Sequence, residues 1–292
     1  MSFKKYMKPL LIYAFLNLFL IVLVLIIINS IDDVGGNWIR FSPTNNAAYD
    51  VVYMFIMITI CAIIGGTFVG YALGPLYLYA HKKIVGRKMI YGIQEKEKPD
   101  KFKKYFLKGL FPALMALNFA LMFAFTDWVQ TIATTNQGES GETTPMVTLL
   151  ALLALMTGIS MGVFSSAWFL LDAGIVYTNK EKVKDLSDPI EIRSVGGWYN
   201  YLLKGYAGIS VILSFYAFFW YMYEIMEIGN RIDGMNIMFI IFYPTLPLVI
   251  AILSFPALIL LDLTHNHRKK YIRKIAEKFK ISEPLADPLN IG

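Results

Sequence analysis

Long apolar blocks alternate with short polar ones along this chain, and that alternation limits its possible folds more than any other feature. The blocks cover residues 9–31, 51–79, 107–132, 146–177, 202–225 and 237–263. Several exceed the roughly 20 residues with which an α-helix crosses the hydrocarbon core of a bilayer. Isolated strands would leave backbone groups unpaired in lipid, and the blocks are far longer than the ~10 residues of a barrel strand. The expected fold is an all-α polytopic membrane protein with six transmembrane helices. Only 16% of the residues are charged, against about 25% in an ordinary soluble domain.

Basic residues are placed where they set topology. Of the 27 Lys and Arg, all but Arg40 and Arg231 fall in the N-terminal segment, the two long connections 82–108 and 180–204, or the tail 268–280. Lys and Arg gather on the cytoplasmic side of membrane proteins, so both termini and both long connections are expected in the cytoplasm of a cell-membrane, multi-pass protein. A nucleic-acid partner is not expected, since the net charge of +6 lies beside spans and not on a folded polar surface. The first block follows Lys4, Lys5 and Lys8, exceeds a signal-peptide core in length and is followed by no small-residue cleavage site, so it reads as a retained span. The single cysteine, Cys61, excludes an intramolecular disulfide.

The chain also repeats itself. YFLKGLFPALMALNF from Tyr105 returns as YLLKGYAGISVILSF from Tyr201, each with Lys-Gly three residues after the Tyr. A blurred copy with Tyr6, Lys8 and Asn17 opens the chain at a nearly equal interval. With the basic connections on one side, each unit is an out-and-back hairpin, giving three tandem parallel repeats over 1–98, 99–194 and 195–266. The remainder, 267–292, carries a basic stretch in which Tyr271, Ile275 and Phe279 recur every four residues beside Ile272. That pattern predicts an amphipathic helix suited to the anionic cytoplasmic leaflet or to a partner protein.

Four sets of residues carry the candidate chemistry. Asn118 lies nine residues beyond Gly109, hence ~13 Å into a ~30 Å core. Ser214 and Asn17 occupy similar depths, so the three form either a polar substrate-binding ring or interhelical hydrogen bonds that hold the bundle together. Gly66, Gly70 and Gly74, with Gly158, Gly162 and Ser166, give small residues in steps of four and predict close helix packing. His81, Asp172, Asp262 and His265 stand at the cytoplasmic ends of even-numbered helices, where they would form a metal site if the helices converge and ion pairs with Lys or Arg otherwise. Pro75 and Pro256 interrupt corresponding even helices, each releasing a carbonyl such as that of Tyr71 or Ile252, and matched interruptions point to a transporter site.

No phosphate loop, CxxC pair or haem attachment motif is present, so no cofactor is expected and any ATP use would need a separate subunit on 82–104 or 180–197. Gly158-Ile-Ser160 places a serine at mid-span, but His265 and His267 lie at the end of the last block, which argues against a serine hydrolase. The pattern points to a permease-like transport component for a small or amphipathic solute. The alternatives are a structural or assembly scaffold and a lipid-modifying enzyme that uses the His and Asp residues.

Overall fold

The structure is a computed structural model and describes residues 4–30, 47–94, 103–124, 143–179, 192–229 and 234–281. It is a predominantly helical membrane-protein bundle. Helix α1 covers Lys4–Ser30; α2 (Ala47–Ile64) continues through a π-helical turn, Gly65–Val69, into α3 (Gly70–Ile84). Helix α4 covers Lys103–Ala124, α5 Thr143–Ala173 and α6 Val195–Gly229. Helix α7 (Gly234–Leu253) is followed by α8 (Phe255–Leu263) and α9 (His265–Lys278). Among the described residues five helical stretches are long and apolar enough to cross a membrane: Val52–Ile84, Phe106–Phe123, Ala151–Ala173, Val195–Trp220 and Tyr243–Leu263. A shorter apolar stretch, Leu11–Leu23, lies in α1.

Helix α5 is the core of the bundle. It is apolar on all sides, the composition of a helix buried all round, and 83% of its span is buried against 17% for the span in α6. It touches α2, the π-turn, α3, α4, α6 and α9. The centre of the described bundle is therefore one of its helices. Phe164, Phe169, Met161 and Leu170 of α5 are fully enclosed. Helix α6 instead presents Ile209, Ile212, Leu213 and Tyr216 outward, a face that lipid would cover.

Backbone approach explains how α5 packs so closely on the α2–α3 rod. A Cβ on Gly65 would lie 1.8 Å from the Gly158 carbonyl oxygen, and one on Gly158 would lie 2.8 Å from that of Cys61. Gly66 sits instead at ordinary contact distance from Leu261. The π-turn is the reason: it adds a residue, so the contact face descending through Gly74 and Gly70 reaches Gly65 and not Gly66. On the same seam Gly70 faces Ser165 and Phe169, Gly162 faces Val69, and Ser166 Oγ donates to the Gly162 carbonyl at 2.7 Å and, at 3.4 Å, to that of Gly70.

The connections depart from the all-α expectation. Strands β1 (Met89–Ile93), β2 (Ile175–Asn179) and β3 (Arg193–Ser194) form an antiparallel sheet in the order β1–β2–β3. Tyr91 pairs with Tyr177, which pairs in turn with Arg193. The fourth apolar block thus ends as a helix at Ala173, and Ile175, Val176 and Tyr177 are strand. Gly174, at φ 73°, makes the turn between them in a left-handed conformation that suits glycine. A Cβ there would also fall 2.0 Å from the Gln94 carbonyl oxygen.

The last span is interrupted between α7 and α8 at Ser254, two residues before Pro256; Ser254 Oγ donates to Ile250, and Thr59 Oγ1 donates to the Leu253 carbonyl at 3.2 Å. Pro75, by contrast, lies within the continuous helix α3. The carbonyl it leaves without an i+4 donor, that of Tyr71, receives the Tyr271 hydroxyl at 3.4 Å.

Helix α9 packs on α5 and α3. Its inward face is Arg268, Ile272 and Ala276, with Ile272 fully buried against Gly74. Tyr271 and Phe279 lie at the edge, against Tyr71 and Tyr79. The chain itself therefore covers part of the apolar face read from the sequence.

Candidate functional site

A cavity of about 240 Å³ opens between α4, α5 and α6. Helix α4 supplies Leu107, Lys108 and Phe111; α5 supplies Phe164, Trp168 and Leu171; α6 supplies Asn200 and Lys204. Within each helix these positions fall at the three- and four-residue spacings that share a face. The two lysines are those of the repeated Tyr-x-x-Lys-Gly sequence, so the repetition brings two ammonium groups to one space. Lys108 Nζ stands 5.5 Å from the centre of the Trp168 ring, and Lys204 Nζ 4.9 Å from that of Phe111. Both distances allow cation–π attraction, which holds a long side chain in place. Trp168 Nε1 donates to Asn200 Oδ1 at 3.3 Å, fixing the polar wall opposite the apolar one. The site can receive an anionic group between the ammonium ions and apolar matter against Phe111, Phe164 and Leu171.

Asn118, Asn17 and Ser214, expected as a polar ring, are arranged differently from one another. Asn118 is buried and its amide donates to the Tyr206 hydroxyl on α6 at 3.4 Å, an interhelical bond. Asn17 donates to the Tyr13 carbonyl of its own helix, and Ser214 to that of Val211. None of the three lines the cavity between α4, α5 and α6.

Of the four His and Asp residues, the structure brings two together. His265 Nδ1 lies 3.2 Å from Asp172 Oδ2, and Arg268 Nη1 donates to the same oxygen at 2.9 Å. Arg268 also donates to the Leu261 carbonyl, and its guanidinium lies 4.6 Å from the Phe169 ring centre. Burial pulls the guanidinium below its ordinary pKa, opposed by the carboxylates of Asp172 and Asp262. His81 is fully buried in a different setting, among the rings of Tyr91, Tyr177, Trp198 and Tyr199. Its Nδ1 is 2.9 Å from the Tyr91 hydroxyl, and its Nε2 has no hydrogen-bond partner among the described residues. The Tyr91 phenol is pushed up to about 12 by burial and by the neighbouring tyrosines, so it stays neutral. Among the described residues no three His, Cys, Asp or Glu side chains gather as a metal ion would require.

The cavity itself was not legible as a site in the sequence. Its signal was the Lys-Gly pair that follows both Tyr105 and Tyr201, which reads equally as interfacial charge. No family model matches the chain, and no curated protein or solved structure matches it.

Proposed function

We propose that this multi-pass protein is a permease-like component of the cell membrane, and that it receives an amphipathic anion in the cavity between α4, α5 and α6. In this reading α1 supplies a sixth span, the chain forms three tandem hairpins, and both termini lie in the cytoplasm. The observation that carries the proposal is the placement of Lys108 and Lys204 on one cavity with an aromatic and apolar wall. Both lysines stand toward the N-terminal ends of their spans, and charge on a span is retained where it has a partner or a pathway to serve. The volume is below the usual 300–1,000 Å³ of a drug-sized site, which suits the head of an amphipath whose chains remain in lipid.

A structural or assembly role is the second reading. It is favoured by Asn118, whose buried amide donates to the Tyr206 hydroxyl and so joins α4 to α6. The two readings separate in liposomes holding the purified protein: Lys108→Gln with Lys204→Gln abolishes flux of a short-chain anionic amphipath under the first and alters only stability under the second.

A further inference from the structure

The C-terminal turn of α9 carries the one non-glycine residue with positive φ among the described residues, Lys280 at 58°. The turn is a Schellman motif: the Ile281 amide donates to the Ala276 carbonyl at 3.0 Å and the Lys280 amide to that of Glu277 at 2.9 Å. Glycine is the usual occupant of that left-handed position because it has no Cβ to clash with the backbone. A lysine there keeps a strained backbone, and strain of this kind points to a functional constraint.

Lys280 lines an open groove of about 430 Å³ together with Tyr79, Lys82, Lys83, Lys278 and Phe279. All four charged residues of the lining are lysines. The negative end of a helix dipole accounts for lysines in the last turns of α3 and α9, but Lys280 stands beyond the end of α9. Lys82 Nζ donates to the Phe279 carbonyl and ties the two helix ends together. Tyr79 and Phe279 meet with ring centres 6.1 Å apart, and Lys83 Nζ stands 6.0 Å from the Tyr79 ring centre. One turn before Tyr79 on the same helix, Leu76 is 54% exposed, so the outward apolar face of the span runs up to the lysines. Aromatic rings flanked by lysines at the end of an apolar face have the composition of a membrane–water interface.

We propose that this groove binds the phosphate headgroup of an anionic bilayer lipid, with Lys83, Lys278 and Lys280 around the phosphate and the acyl chains along Leu76. The membrane is the source because the apolar face adjoining the groove would otherwise be unmatched by a soluble anion.

The test uses the full chain in nanodiscs of phosphatidylcholine alone or mixed with phosphatidylglycerol, with lipid affinity and melting temperature as readouts. Lys83→Gln, Lys278→Gln and Lys280→Gly each weaken binding of phosphatidylglycerol by about five-fold. Lys280→Gly also raises the melting temperature in pure phosphatidylcholine by roughly 2–4 °C, since it relieves the left-handed strain. A folded triple variant that binds phosphatidylglycerol as the unaltered protein does would overturn the proposal. So would equal protection by inorganic phosphate in phosphatidylcholine discs, which would make a soluble anion the ligand.

Discussion

The Tyr271 hydroxyl donates to the Tyr71 carbonyl, the group that Pro75 leaves without its helical donor. The rings of the two tyrosines also meet edge to face, 5.1 Å apart. A helix at the C-terminal side of the chain thus repairs a defect in the second apolar block. Tyr271→Phe should cost about 0.5–1.5 kcal/mol. In a Pro75→Ala background the substituted residue brings its own backbone N–H to the Tyr71 carbonyl, so the same change should cost less. A double-mutant cycle by denaturation measures this, and a cost unchanged by Pro75→Ala would remove the link.

Arg268 is the polar centre of the same helix interface. Removing one member of a buried, hydrogen-bonded ion pair costs about 3–5 kcal/mol, because the partner is left unpaired. Arg268→Met should reach the lower part of that range, since Asp172 keeps His265 and is partly exposed. Asp172→Asn combined with Arg268→Met should cost less than the sum of the two single changes. Strict additivity would show that the pair is not coupled.

Glycines on the α2–α5 seam should differ sharply from neighbours of the same composition. Gly65→Ala forces a Cβ onto the Gly158 carbonyl and should cost about 1–3 kcal/mol or more. Gly66→Ala meets only ordinary contacts, and Gly205→Ala and Gly208→Ala meet nothing within 4 Å. The last two should be neutral or gain up to about 1 kcal/mol from helix propensity. Melting temperatures in one detergent rank the four variants, and equal losses at Gly65 and Gly66 would contradict the register set by the π-turn.

These glycines also show where sequence reasoning reaches its limit. Steps of four from Gly74 and Gly70 lead to Gly66, and only a π-turn, which no local residue pattern announces, moves the contact to Gly65. Five of the expected spans were legible because lipid demands long apolar helices. The sheet was not, because Ile175, Val176 and Tyr177 are as apolar as the helix they follow, and Gly174 alone marks the change. Counting residues gives Asn118 a depth along its helix, but its Tyr206 partner lies 88 residues away and depends on packing. Lys108 and Lys204 were legible as a repetition, while their meeting on one cavity depends on how α4 and α6 flank α5.

The orientation proposed from the basic connections can be checked directly. With Cys61 replaced by serine, a single cysteine at Arg87, an exposed position beside β1, should resist an impermeant thiol reagent in intact cells and react once the membrane is opened. A cysteine at Gln137, which lies outside the described residues, should react in intact cells. The reverse pattern would invert the topology.

The most direct measurement of the central claim is flux through liposomes that contain the purified chain, with dihexanoyl phosphatidic acid as the anionic amphipath and dihexanoyl phosphatidylcholine as its zwitterionic counterpart. The account predicts protein-dependent, saturable movement of the anionic probe over the zwitterionic one. Each of Lys108→Gln and Lys204→Gln should weaken its apparent affinity about ten-fold or more, with the folded fraction unchanged. Flux no greater than in protein-free liposomes, or flux indifferent to both lysines, would contradict it.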